Sequence, residues 1–343
     1  MNDKAKIVGY QGLRGIAFLM IFISHCTFSV IEPGNNSTKY FGAFGVSLFI
    51  VLSGFLTVHN HFDCNELSIK EQITKTIKKS YPLHFLTFLL AIPFSIQELI
   101  KPNVNVWIAS FLNLILVQSW VPKASVYFSN NAVSWYLSTY LFLMLISPFV
   151  VKYLMQLDTK RIIGLLAFNF LFQIALVQFA GNYSWGHWMI YICPITRSLD
   201  FITGGGIALL LNRYKIYKRL FYILLFSGII VSITLLVWTT QHVVGNAFLV
   251  AIWSLPAYAI IIGLFGMEKK HVSILLFQNK LVLYLGKISL ELFLVHQLVI
   301  RYIETFANKL NLMSSFMYIV AFLITIIVAT VLHEFKLRRM PVG

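Results

Sequence analysis

Arg14 and His25 are the two residues of this chain whose types and spacing best suit them to chemistry. They stand eleven positions apart in one apolar stretch, which runs from Gly12-Leu13-Arg14-Gly15-Ile16-Ala17 through His25 to Ile31. A helix turns about 100° per residue, so eleven steps bring the second side chain to within about 20° of the first. The rise between them is about 16 Å. One helix face then carries a permanent cation near its start and, deeper, an imidazole that changes charge near neutral pH. A cation can hold an anionic donor, and an imidazole can act as general base. Ionisable groups inside a membrane are costly, and their default reading is functional. Each residue also has a plainer reading, Arg14 as an interfacial anchor and His25 as a packed interior histidine.

The composition says what must position them. Of 343 residues, 58% are apolar and 11% charged, and the mean hydropathy is +0.79. Soluble domains carry about 25% charged residues. The expectation is therefore an all-α, polytopic membrane helical bundle forming one domain over residues 1–343. No polar stretch is long enough to bury a separate soluble core. The N-terminal Lys4 and Lys6 precede an apolar run, as in a signal peptide. No small-residue cleavage site follows, so the run reads as a retained first span. Cys26, Cys64 and Cys193 provide neither a disulfide framework nor metal-ligand spacing.

Apolar runs lie at about 13–31, 42–58, 82–100, 107–121, 134–151, 162–180, 193–211, 219–239, 247–266, 281–300 and 314–332. A span needs about 20 residues, which makes 107–121 the doubtful one. The charge of +15, from 27 basic and 12 acidic residues, would suggest nucleic acid in a soluble protein. Here most basic residues cluster in short loops, so nucleic acid is not an expected partner and membrane lipid is. The clusters are Lys4, Lys6 and Arg14; Lys70, Lys75, Lys78 and Lys79; Lys152, Lys160 and Arg161; Arg213, Lys215, Lys218 and Arg219; Lys269, Lys270 and Lys280; and Lys336, Arg338 and Arg339. The alternate loops hold only Lys39, Lys101, Lys123, Arg301 and Lys309. The positive-inside rule puts the rich clusters in the cytoplasm. The parity then requires that 107–121 not cross. The expectation is about ten transmembrane helices, both termini cytoplasmic, and a re-entrant or interfacial segment near 107–121, in the cell membrane.

Further motifs lie on these runs. Gly42, Gly45, Ser53 and Gly54 offer a small-residue face for close helix packing, most simply against the first span, and Ser53 can bond back to its own helix. Lys75 and Lys79 are one helical turn apart, and with Lys78 they suit either a phosphorylated ligand or anionic lipid. Trp135-Tyr136 can be an aromatic belt pair. Arg197 and Asp200 can pair across one turn. Ser289 and His296 are two turns apart on one face, and the topology puts His296 at a depth comparable to His25. The two histidines have no Cys, Asp or Glu partners at metal spacing, so no metal site is expected.

Together these residues resemble the acyltransferase family 3 of integral membrane proteins, which transfer acyl groups to surface carbohydrates and related acceptors. Gly12-Leu13-Arg14-Gly15 through His25 is similar to the family's arginine-to-histidine signature. Gly45 to Leu56 is similar to its second-span block, Trp135-Tyr136-Leu137-Ser138 to its tryptophan block, and Gly286-Lys287-Ile288-Ser289 through His296 to its late serine-to-histidine block. Gln11 and Ser47 stand where the family usually has carboxylates. Lys75, Thr76 and Lys79 stand where it usually has a pair of arginines, and lysine is a point charge rather than a fork.

The resemblance implies an O-acyltransferase with acyl-CoA, most simply acetyl-CoA, as co-substrate and no bound cofactor. The acceptor would be a hydroxyl of a cell-surface saccharide or its lipid-linked precursor. His25 and Arg14 are the expected catalytic residues. Arg14, Lys75 and Lys79 would bind the donor, and Trp135, Ser289, His296 and Ser53 would support the site or the acceptor. His25 could instead carry the acyl group covalently. The rival expectations are a saccharide exporter or flippase without acyl transfer, and an inactive relative with a scaffold role.

Overall fold

The computed structural model describes residues 7–26, 38–62, 67–100, 103–214, 217–242, 250–269, 272–309 and 316–339. Lys4, Lys6, Cys64, Lys101, Lys215 and Lys270, and the end of the first apolar run at 27–31, lie outside the described residues. So do the side chains of Lys39, Arg338 and Arg339.

Each expected span falls on a helix except 281–300, which is divided between two. In chain order these are α1 (Val8–Cys26), α2 (Lys39–Asn60), α3 (Ile69–Leu99), α4 (Val104–Leu114), α5 (Ala124–Tyr127), α6 (Trp135–Gln156), α7 (Thr159–Ala180), α8 (Pro194–Arg213), α9 (Lys218–Gln241), α10 (Ala251–Lys269), α11 (Leu275–Gln278), α12 (Lys280–Lys287), α13 (Ser289–Lys309) and α14 (Phe316–Arg339). No strand occurs among the described residues. Local chemistry sets several starts. Ser68 accepts from the Glu71 amide at 3.4 Å, and Asp158 from the Arg161 amide at 2.8 Å. Pro194 fills the first turn of α8, where a missing N–H costs nothing. The Glu268 carboxylate accepts the Gly9 amide at the start of α1, where the helix dipole favours an anion.

Six helices are long and apolar enough to cross a membrane: α2, the stretch Ala132–Gln156 containing α6, α7, α9, α10 and α14. The consecutive α12 and α13 pass the same test only as a pair, and they meet at 82°. The run 281–300 is therefore not one straight span. The chain breaks at Ile288, and Ser289 opens a new helix. The other long helices, α1, α3 and α8, carry Arg14 and His25, the Lys70–Lys79 cluster, and Arg197 with Asp200. α7, α9 and α14 turn large apolar side chains outward, among them Phe168, Leu171, Ile230 and Ile327, each at least 60% exposed. Such a belt fits a lipid surround.

The segment near 107–121 folds as the 11-residue α4 and a single 3₁₀ turn at Gln118–Trp120. Eleven residues rise about 16 Å, roughly half a hydrocarbon core of about 30 Å. Val104, Trp107, Ile108 and Phe111 face outward. Buried polar side chains pin the inner face. His84 of α3 contacts the Asn113 carbonyl at 3.0 Å, and Asn113 Nδ2 donates to the Ser129 carbonyl at 2.7 Å.

Glycines set the close helix contacts. A Cβ on Gly286 of α12 would lie 1.7 Å from the Gln11 carbonyl oxygen of α1, and one on Gly15 would lie 2.2 Å from the Val282 carbonyl. Gln11 Nε2 also donates to the Leu283 carbonyl at 3.0 Å. The second-span glycines divide, correcting the expectation of a single face toward the first span. Gly42 and Gly45 meet α1, but Gly54 meets the backbone of Phe201 in α8. Glycines at 42 and 45 are separated from 54 by a register that turns the last one to the other side of α2.

Candidate active site

α1 is one helix through both Arg14 and His25, so the two share a face about 16 Å apart. The sequence pattern sets Arg14 at the very start of the first apolar helix, but the helix begins earlier, at Val8. Arg14 lies six residues inside, because the N-terminal turn is held by Glu268 and by packing on α12. His25 lies in the last described turn.

At the His25 end, α13 brings His296 alongside. The two ring centroids are 5.0 Å apart. His296 is fully buried. Its Nδ1 lies 2.7 Å from the Phe293 carbonyl and 3.2 Å from that of Leu292. A carbonyl only accepts, so Nδ1 carries the proton, and in the neutral ring Nε2 keeps its lone pair. Nε2 is buried without a partner among the described residues. Phe18, Phe22 and Phe293 stand around this ring, with centroids at 5.8, 6.3 and 5.8 Å. His296 therefore sits in an aromatic box, and the half-buried His25 stands at its edge. Ser289 is two turns below His296 on α13, partly exposed.

Arg14 is half-buried and makes no ion pair or hydrogen bond among the described residues. Its charge reaches Lys79 of α3 and Tyr136 and Tyr140 of α6. Lys79, within reach of that charge, lines a cavity of about 470 Å³ together with Lys78, Glu291, Leu332, Phe335 and Lys336. Glu291 is buried and bonds Lys336 Nζ and His333 Nδ1, each at 3.3 Å. Lys75 stands one turn before Lys79 on the exposed side of α3 and within electrostatic reach of it. The mouth is thus cationic, with one carboxylate already paired.

Tyr136 links the two ends. Its ring packs on Phe293 at 5.0 Å and stacks on Tyr140 at 6.1 Å, and its hydroxyl sits beside Ser53. The Ser53 hydroxyl donates back to the Phe49 carbonyl at 2.7 Å. Trp135 is 5% exposed and packs on Tyr136 and Tyr191. It is a wall residue of the interior, not a belt residue. Tyr136, Tyr140, Phe293, Glu291 and Lys336 escaped notice in the sequence as site residues. The i, i+4 spacing of Tyr136 and Tyr140 was the available signal, and nothing marked Phe293.

A second polar cluster lies deeper in the bundle. Arg197 and Asp200 of α8, both fully buried, pair at 3.0 Å. Gln173 of α7 donates to Asp200 at 2.9 Å, Ser254 of α10 donates to Gln173 at 3.2 Å, and Arg197 donates to Ser47 at 3.4 Å. The pair expected from spacing forms, and three other helices complete it. Among the described residues no group of three or more His, Cys, Asp or Glu could hold a metal ion.

Comparison with known proteins gives two findings. The family model described as "Acyltransferase domain", that of acyltransferase family 3, matches residues 7–334. The chain is also 28% identical over 323 residues to the acyltransferase MdmB of Streptomyces mycarofaciens, covering 87% of this chain and 80% of the relative. No solved structure is significantly similar.

Proposed function

Since the chain belongs to acyltransferase family 3, we propose that it moves an acyl group, acetyl in the first instance, from a cytoplasmic acyl-CoA to a hydroxyl of a cell-surface saccharide or its lipid-linked precursor. The observation that carries this reading is that His25 stands 5.0 Å from the aromatic-boxed His296 of α13 and shares a face of α1 with Arg14, which has no ion-pair partner among the described residues.

In this reading His25 takes the acceptor hydroxyl proton as the oxygen attacks the thioester carbonyl. The carbon–sulfur bond breaks, a carbon–oxygen bond forms, and the proton passes to the departing CoA thiolate. The lone pair on His296 Nε2 is available to an N–H of the neighbouring imidazole, which would turn the other His25 nitrogen toward the hydroxyl. Arg14, Lys79 and Lys75 hold the anionic donor at the mouth, with the lysines acting as point charges. The aromatic box keeps water, the competing hydroxyl, away from the thioester. Trp135 and Ser53 act through Tyr136, and Ser289 through the start of α13. The protein lies in the cell membrane with ten crossings and both termini cytoplasmic, a reading supported by the alternation of basic loops.

The test is CoA release from acetyl-CoA by the purified full chain, alongside ester-linked acetate on polysaccharide from cells carrying wild type, His25→Ala or no gene. His25→Ala should lose about 10²–10⁴-fold, the usual worth of a general base. Equal acetate in all three cell types would overturn the reading, and a fall in polysaccharide export without the gene would then favour a transporter.

A further inference from the structure

A second cavity, of about 640 Å³, lies at the end of the bundle opposite the cationic mouth. It falls within the about 300–1,000 Å³ of small-molecule sites. α3 contributes to both cavities: Lys79 lines the first and Phe94 and Ser95 the second. Those positions are fifteen residues apart, or about 22 Å along the helix. The remaining wall comes from the non-crossing insert and from Arg301 of α13, five residues beyond His296.

The lining has a definite chemistry. It contains seven Ser and Asn side chains, the cations Lys123 and Arg301, the aromatic Phe94 and Phe128, and no carboxylate. Arg301 lies over the Phe94 ring at 4.1 Å and donates to the Asn130 carbonyl at 3.2 Å. A guanidinium has five donors, so this anchoring leaves others for a ligand. Asn130 is 6% exposed. Its Oδ1 accepts from Ser110 at 3.1 Å, but its Nδ2 is buried with no partner among the described residues. Buried amide N–H groups are ordinarily bonded, and leaving one unpaired costs free energy. Asn130 has φ of +53°, a left-handed conformation that asparagine accepts more readily than other non-glycine residues. The next residue, Asn131, donates to the Leu294 carbonyl at 3.0 Å, two positions before His296. The cavity wall is therefore tied directly to the helix that carries the histidine.

We infer that this cavity binds the acceptor as an anion-bearing saccharide, its hydroxyls meeting Asn130 and the neighbouring serines and its carboxylate or phosphate meeting Arg301 and Lys123. The inference rests on the acyl-transfer reading for the word acceptor, but not for the binding itself. The donor then enters from one end of the bundle and the acceptor from the other, and they meet at His25 and His296.

The experiment is calorimetric titration of the full chain in detergent with three probes: cellobiouronic acid, cellobiose carrying a phosphate at its reducing end, and plain cellobiose. The charged sugars should bind at least tenfold more tightly than cellobiose, and the stronger of the two identifies the anion. Arg301→Gln retains a donor for the Asn130 carbonyl but removes the charge. It should abolish the preference while leaving acetyl-CoA affinity unchanged. Asn130→Gly suits the positive φ and removes the amide, and it should weaken all three sugars together. Equal binding of charged and plain sugars by wild type, no binding of any at millimolar concentration, or no effect of either variant overturns the inference. Preferential binding of the charged sugars without CoA release would instead sink the acyl-transfer reading and keep the site.

Discussion

The contact between α1 and α12 allows a change of one methyl group to test whether the site depends on helix placement. In Gly286→Ala the new Cβ would lie 1.7 Å from the Gln11 carbonyl oxygen, against about 3.4 Å for ordinary contact. A Cβ is fixed to its own backbone and the atom it meets is a backbone carbonyl, so no rotamer change relieves the clash. The helices must part by about 1.7 Å, or α1 must tilt by the equivalent. α1 carries Arg14 and His25, whereas His296 lies on α13 beyond the 82° bend. The separation therefore falls between the two histidines. A misplacement of about 1 Å in a catalytic constellation can cost about 10²-fold, so CoA release should drop by about that factor or more. Alanine is a better helix former than glycine by about 1 kcal/mol, so weakened α12 helicity cannot explain a loss. Gly164→Ala on α7 is the control, because nothing lies within 4 Å of its added Cβ. It should keep full activity and melt at the same temperature or slightly higher. Gly286→Ala retaining activity within twofold, with an unchanged melting temperature, would refute the reasoning.

Three further outcomes are expected. Arg197→Met strands a fully buried Asp200 and should destabilise the protein by about 3–5 kcal/mol, whereas Arg197→Met with Asp200→Leu should recover much of that; thermal unfolding of the two variants decides it, and equal losses would contradict the pairing. Asn113→Leu removes the donor to Ser129 and Ser134, so limited proteolysis between residues 115 and 134 should quicken; an unchanged rate would mean the insert is held by other contacts. In a chain freed of native cysteines, Lys123→Cys should label from outside the cell and Lys78→Cys only after permeabilisation, and cytoplasmic labelling at 123 would sink the ten-crossing topology.

What the sequence determines on its own is local: groups within one helix. Arg14 and His25 share a face because helix geometry allows nothing else at a spacing of eleven. Arg197 and Asp200 pair because three residues is one turn, and Ser53 bonds to its own helix because the Phe49 carbonyl is one turn behind it. The short α4 was legible from the length of its apolar run. The family was legible because its four blocks stand in order along the chain.

Other features depended on contacts between distant segments. Glu291 sits beside His333 and Lys336 only because α14 packs along α13, more than 40 residues away in the chain. Gly54 turns to α8 rather than α1, and the break at Ile288 interrupts a run whose hydropathy is continuous. Tyr136 and Phe293 become the bridge between Arg14 and the histidines through packing of α6 on α13, which no periodicity encodes. Spacing along one helix is set by the covalent chain and its hydrogen bonds, so the sequence by itself determined which groups share a face and how far apart they stand. Which faces meet is decided by the summed packing of many side chains from separate helices. Only the tertiary structure could therefore bring His296 to His25 and leave Asn130 with a donor unspent among the described residues.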